Sequence, residues 1–237
     1  MLELELDVVR EGFTLDVQLS VARGPTTLVG PNGSGKSTTF NLIAGTLTPS
    51  AGSIRFDGAE IGGLPAYRVC RLGIGRTFQI PRPFRKLPLI DNVALGAYYA
   101  QAGAITQVEA RRRAEEALAL VGLPTAAGAT THGLGAAALK KLELARAIAT
   151  GPKLLLADES LGGLDPAEMA GAARMLADIR QRLGMTIVWV EHIMGALMPV
   201  VDRVIVLDHG EKIFEGRPSE ASVDPRVTEV YLGKAQG

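Results

Sequence analysis

Residues 30–38 read Gly30-Pro31-Asn32-Gly33-Ser34-Gly35-Lys36-Ser37-Thr38. They contain G-x-x-x-x-G-K-[ST], a spacing that folds backbone around phosphate. Glycines let the main chain approach an anion closely enough for several N–H groups to face it. Lys36 then reaches the terminal phosphates, and the Ser37 hydroxyl is a ligand for Mg²⁺. A second reactive pair closes the run Lys153-Leu154-Leu155-Leu156-Ala157-Asp158-Glu159. The apolar residues predict a strand buried in a parallel sheet, which delivers two carboxylates to the strand's carboxyl end, where ligands of α/β folds sit. Asp158 would hold Mg²⁺, and Glu159 would take the proton of an attacking water. Two more residues have the right chemistry but an open reading. Gln79 would orient a water or contact Mg²⁺, or be a surface residue, and His192, at the end of another apolar run, would sense a phosphate or be structural.

These groups need elements to carry them. Thr26 to Val29 is short, apolar and β-branched, which predicts a strand entering the phosphate loop. Ser37 to Ala44 predicts a helix that stops at Gly45 and turns its positive end on the anion. Leu2, Leu4, Leu6 and Val8 alternate with acids, as do Leu15, Val17, Leu19 and Val21 with polar residues. Both read as half-buried strands, and Ser53 to Phe56 with Asp57-Gly58 as a third strand and a turn. One polar face on each suggests a small antiparallel layer. Phe13, the one aromatic residue before the loop, would stack on adenine or pack in the core. Residues 91–149 turn helical, with Ala114, Leu118 and Val121 on one face and Arg111-Arg112-Arg113 as a solvated one. Thr125 to Gly135 is a loop, and Lys140 to Ile148 a further helix. Pro166 opens a helix that runs to Leu183. Met185 to Val190, Arg203 to Leu207 and Lys212 to Phe214 are strands, with His209 in the turn between the last two and His132 in a loop.

Composition narrows the class. With 237 residues and 47% apolar content, the chain suits one domain, or one domain with a subdomain. The formal charge of zero argues against a nucleic-acid partner held by a basic face. No apolar run approaches about 18 residues, so no membrane span is expected. Met1-Leu2-Glu3-Leu4 lacks the basic and apolar regions of a leader. The single cysteine, Cys70, forbids an internal disulfide, fits a reducing cytoplasm and is expected to be a buried, inert thiol.

Taken together, the motifs resemble the ATP-binding subunit of ABC transporters over nearly the whole chain. Gly30 to Thr38 is similar to the Walker A motif, Gln79 to the Q-loop glutamine, and Leu154 to Glu159 to Walker B with its catalytic glutamate. Leu164-Asp165 is similar to the D-loop, and His192 to the switch histidine. Arg76-Thr77-Phe78-Gln79-Ile80-Pro81-Arg82-Pro83-Phe84, Val190-Glu191-His192, and Leu207 to Ile213 leading to Val230-Tyr231-Leu232-Gly233 resemble the branched-chain amino-acid importer ATPases. Other importers and a lipopolysaccharide-export ATPase share much of this pattern. The resemblance implies a P-loop α/β core with an antiparallel β layer, residues 1–82 and 151–237, and an inserted α-helical subdomain, residues 83–150. It implies ATP and Mg²⁺, two cassettes closing face to face, transmembrane permease subunits, a solute-binding protein acting indirectly, and a place on the cytoplasmic face of the inner membrane. The basic, proline-rich stretch Pro81 to Lys86 would belong to the surface that docks the permease.

One stretch departs from the family. The signature, usually Leu-Ser-Gly-Gly-Gln, falls on Leu134-Gly135-Ala136-Ala137-Ala138. In the family its serine hydroxyl and glycine amides, with the D-loop here at Asp165, meet the nucleotide held by the other subunit. Gly135 lacks that hydroxyl, a charge-assisted hydrogen bond worth roughly 1.5–3 kcal/mol. Ala137 adds a Cβ where close backbone approach is needed. The chain is therefore expected to work in a heterodimer whose other member supplies a normal signature. A homodimer that tolerates the change, a nucleotide-gated module that scarcely hydrolyses, and a soluble ABC ATPase of DNA repair or translation are the competing readings. The last usually carries coiled-coil insertions or tandem cassettes, which this sequence lacks.

Overall fold

The computed structural model describes residues 2–10, 13–21, 24–101, 104–159, 165–191 and 197–232, without the side chains of 4, 6–10, 13, 166, 231 and 232. The chain divides into two compact units, Met1–Val69 with Thr186–Gly237, and Cys70–Met185.

Period-2 alternation builds the start of the first unit. Strands β1 (Leu2–Arg10) and β2 (Phe13–Val21) pair antiparallel, with Leu2 opposite Val21 and Arg10 opposite Phe13. Leu15, Val17, Leu19 and Val21 are buried while Asp16, Gln18 and Ser20 face water. That register places one whole side of β2 in the core, since a one-residue slip would expose every leucine and valine. β4 (Ala51–Phe56) and the short β5 (Ala59–Glu60) extend this antiparallel layer beyond β1. The parallel part lies around β3 (Pro25–Val29), buried along its full length between β8 (Thr186–Val190) and β9 (Arg203–Asp208). β10 (Glu211–Gly216) returns antiparallel along β9, with a register shift between Lys212 and Phe214, and meets β2 at Asp16. The strand order in this unit is β5-β4-β1-β2-β10-β9-β3-β8. Helix α1 (Lys36–Ile43) follows β3 and buries Phe40, Leu42 and Ile43.

In the second unit β6 (Ile74–Arg76) lies parallel to β7 (Leu154–Asp158). Three helices, α3 (Leu89–Ala100), α4 (Gln107–Leu120) and α5 (Ala136–Ala149), pack on one another. They bury many small side chains, among them Ala97, Ala114, Ala117 and Ala145. Ala114, Leu118 and Val121 share the buried face, as their spacing requires. Helix α6 (Pro166–Leu183) begins at Pro166 and ends at Gly184 in a left-handed C-cap. Three short helices complete the chain: α2 (Ala66–Arg71), α7 (Pro218–Ala221) and α8 (Pro225–Leu232).

The sequence pattern assigns neither α2 nor β6, and it starts at Lys140 the helix α5 that begins at Ala136. The signature positions Ala136 to Ala138 are thus the first helical turn of α5, with Gly135 as its N-cap. Cys70 is half-buried, although burial does push its thiol above the usual 9.0.

Candidate functional site

The phosphate loop hangs from the buried end of β3. Gly30 has φ +155, and a Cβ there would lie 2.1 Å from the carbonyl oxygen of Leu207, so only glycine lets the loop leave the sheet at this point. Gly35 is the N-cap of α1, with no side-chain cap and no acidic residue in the first turn. The positive end of the helix therefore meets no acidic side chain from its own first turn, which suits it to an anion. Lys36 is buried, and its Nζ donates to the carbonyls of Gly30 and Pro31, each at 2.8 Å, and to Ser34 Oγ at 3.3 Å. These bonds hold the ammonium inside the curve of the loop. Thr39 Oγ1 donates to Gly35 O at 3.0 Å and ties the loop to the helix. Asn32, Gly33 and Ser37 are exposed, with Pro31 and Thr38 half-buried.

The turn between β9 and β10 braces this loop. Gly210 N–H donates to Ser34 O at 3.2 Å, and Asp16 N–H donates to Gly210 O at 2.9 Å. A Cβ on Gly210 would stand 1.9 Å from Thr14 O, so the glycine permits the close approach to β2. His209 projects into solvent with Nδ1 2.8 Å from the Asp208 carboxylate, as a turn residue would. Phe13 opens β2, and its side chain lies outside the described residues.

The second unit builds the carboxylate end. Asp158 is the buried last residue of β7. Arg76, at the end of β6, makes an ion pair with it at 2.8 Å, the two side chains being only 11% and 7% exposed. The same guanidinium lies 5.3 Å from the ring centre of Phe78. Asp158 N–H donates to Thr77 Oγ1 at 3.1 Å, and Thr77 N–H to Leu156 O at 3.0 Å. Glu159 stands one residue beyond the strand with φ +44, a left-handed conformation uncommon for a residue with a side chain. Its carboxylate accepts a hydrogen bond from Gln79 Nε2, and its carbonyl accepts one from Lys140 Nζ at 2.9 Å. Gln79 and Glu159 are thus brought together.

Asp165 has a different immediate task. Its carboxylate caps α6, accepting from the N–H groups of Ala167 and Glu168 at 2.8 Å, while its own N–H donates to Glu168 Oε2 at 3.1 Å. Leu164 and His192 lie outside the described residues. Gly135, as N-cap of α5, provides no side-chain cap, and among the described residues nothing stands within 4 Å of where its Cβ would be.

On either side of Gln79 the chain presents Phe78, Ile80 and Phe84 as exposed apolar side chains. Two buried anchors hold this stretch. Asn92 is fully buried: its Nδ2 donates to the carbonyls of Phe84, Leu87 and Pro88, each at 3.0 Å, and its Oδ1 accepts from Phe84 N–H at 2.7 Å. Arg146 donates to Arg82 O at 3.0 Å, pairs with Glu143 at 2.8 Å and lies over the Phe84 ring at 5.1 Å. Sequence reasoning missed Asn92, Arg146, Lys140, Arg76 and Thr77. The last two lie three and two residues before Gln79 in the chain, but all five meet the site only through tertiary packing.

Hard oxygen donors are what Mg²⁺ takes. The Ser37 hydroxyl, the Asp158 carboxylate and the Gln79 amide oxygen are of that kind. No cluster of three His, Cys, Asp or Glu side chains suited to another metal occurs among the described residues.

A phosphate loop on a parallel strand, together with a buried strand ending in paired carboxylates, defines a nucleotide-hydrolysing cassette. The ABC transporter family model matches residues 15–162, and the chain belongs to that family of ATP-binding cassettes and ATPases. It is 32% identical over 220 residues to the high-affinity branched-chain amino acid transport ATP-binding protein BraF of Pseudomonas aeruginosa, covering 88% of this chain and 86% of that one. It is also 32% identical over 219 residues to the lipopolysaccharide export system ATP-binding protein LptB of Acidithiobacillus ferridurans, covering 92% and 89%. Among solved structures, MJ1267, an ATP-binding cassette of an ABC transporter, superposes with a TM-score of 0.88 at 27% identity over 98% of this chain and 99% of that one. The dimeric ABC transporter cassette MJ0796 gives 0.80 at 26% identity, covering 92% and 99%.

Proposed function

We propose that the protein is the ATP-hydrolysing subunit of a membrane transporter, most simply an importer of branched-chain or related amino acids. The observation that carries the catalytic part is the holding of two adjacent carboxylates by the segment that leaves β6. Arg76 grips Asp158 and Gln79 grips Glu159. In this reading Lys36 and the amides of Gly30 to Thr38 bind the phosphates. Phe13, in the same reading, stacks on the adenine. Asp158, Ser37 and Gln79 supply oxygens for Mg²⁺, and His192 contacts the terminal phosphate. ATP with Mg²⁺ supplies a phosphoanhydride whose charge is already partly neutralised. Glu159 accepts the proton of the attacking water, and Gln79 fixes the direction of its carboxylate. Glu159→Gln is expected to bind ATP with little change and to lose nearly all steady-state turnover. Retained turnover would remove Glu159 from that role.

Coupling to transport needs another protein. No helix among the described residues is long and apolar enough to cross a membrane. Phe78, Ile80 and Phe84, flanked by Arg82, Arg85 and Lys86, form the surface we assign to permease docking at the cytoplasmic face of the inner membrane. The helical subdomain, residues 83–150, which takes over from the core within this surface, is part of this proposal. Arg82→Glu with Arg85→Glu is expected to weaken assembly with the permease, and unchanged assembly would count against the surface. The missing signature hydroxyl favours a heterodimer, in which this chain's phosphate loop and carboxylates act beneath another cassette's intact signature. BraF-like relatives favour import, and the LptB likeness keeps an exporter as the second reading.

A further inference from the structure

We propose that Lys140 is a positioning residue for Glu159, and that it makes the geometry of the base depend on helix α5. This rests on the assignment of Glu159 as the base. Two contacts on Glu159 bear on its geometry. Gln79 Nε2 holds its carboxylate, and Lys140 Nζ holds its backbone carbonyl at 2.9 Å. The second contact matters because Glu159 has φ +44, a conformation that side-chain-bearing residues keep only where surroundings impose it. A charged donor on the carbonyl imposes it directly, and an ammonium–carbonyl bond in a half-buried place is stronger than a neutral one. Asp158, just before, is fixed by the ladder of β7 with β6 and by Thr77 Oγ1. The rotation of the chain between Asp158 and Glu159 is therefore set by fixed strand on one side and by Lys140 on the other.

Lys140 is the fifth residue of α5, one turn beyond Gly135 to Ala138. α5 is firmly seated, with Leu142, Leu144, Ala145 and Ile148 buried, so its lysine stands on a rigid support. The first turn of the same helix is the signature stretch. A displacement of that turn, on contact with a second cassette, reaches the backbone of Glu159 through one side chain. The link lies within one chain and joins the stretch offered to a partner with the residue that acts on this chain's own nucleotide.

The test compares Lys140→Met, which keeps the length and loses the donor, with Lys140→Arg, which keeps a donor. Both are measured in the cassette pairing that gives wild-type ATPase activity. Lys140→Met is expected to lower kcat roughly 10- to 100-fold, the size of effect that a misplaced catalytic group produces. KM and fluorescent-ATP affinity should stay within about two-fold, and Lys140→Arg should recover much of the loss. In a Glu159→Gln background, Lys140→Met should slow turnover no further, because it acts through the residue already removed. The proposal is overturned if Lys140→Met keeps kcat near wild type, if its loss adds fully to that of Glu159→Gln, or if KM rises in step with the fall in kcat. An active Glu159→Gln would instead show that the base assignment itself is wrong, whatever Lys140 does.

Discussion

Replacing Gly135 by serine tests the idea that this cassette is impaired in what it offers a partner. Among the described residues nothing lies within 4 Å of the new Cβ, and φ −72 with ψ 173 suits any residue. Serine and glycine differ by only a few tenths of a kcal/mol as N-caps, so the fold should scarcely register the change. The hydroxyl regained at a phosphate is worth about 1.5–3 kcal/mol, which corresponds to roughly 10- to 100-fold in rate where the bond strengthens in the transition state. Part of that gain will be held back by Ala137, whose methyl remains in the first turn of α5. The complementary change, Ala137→Gly, costs about 1 kcal/mol of helix stability and is better added second. The assay is ATPase activity of the purified chain alone with Mg²⁺, beside thermal melting. A rise of ten-fold or so with an unmoved melting temperature is the expected result. A change below about two-fold would refute the argument, since the hydroxyl would then be irrelevant to turnover.

Two further outcomes follow from the same contacts. Arg76→Met leaves the Asp158 carboxylate buried without its guanidinium, a loss of about 3–5 kcal/mol, so the melting temperature should fall by roughly 10 °C and partly recover when Asp158→Asn is added. A shift under about 2 °C would show the pair to be dispensable. Burial pushes the Glu143 carboxyl above the usual 4.5, against the pull of Arg146. Between 4.5 and its raised value the folded protein holds a proton that the unfolded chain has released, so this group's contribution to stability is full below 4.5 and is lost as pH rises through that interval. Denaturant titrations from pH 4 upward should show that slope, and Glu143→Gln should flatten it; an identical slope in the variant would contradict the assignment.

What the chain declares in its sequence is what depends on neighbours along the chain. The phosphate loop needs its glycines at fixed offsets, β2 needs strict alternation, and β7 needs an unbroken apolar run, so each was legible. Helix α2 has six residues after a proline, and β6 has three with a glycine in the middle, too little pattern for a period to show. α5 starts among alanines that favour no buried face until Leu142. The carboxylate end was half legible. Asp158 and Glu159 announce themselves, but the groups that hold them, Arg76, Thr77 and Lys140, become neighbours only when β6 and α5 come to rest beside β7. Asn92 is the clearest case, since nothing in the run Ile90 to Val93 marks an amide that closes four hydrogen bonds around Phe84 to Pro88.

The central claim is that this chain carries a working hydrolytic site completed by another cassette's signature. The most direct measurement is the ATPase rate, with Mg²⁺, of the purified chain alone and then mixed with a cassette whose signature is intact but whose own catalytic glutamate is replaced by glutamine. The account predicts little activity alone, a clear rise on mixing, and loss of that rise when Glu159→Gln is introduced into this chain. Substantial activity alone, or a rise that survives Glu159→Gln, would contradict it.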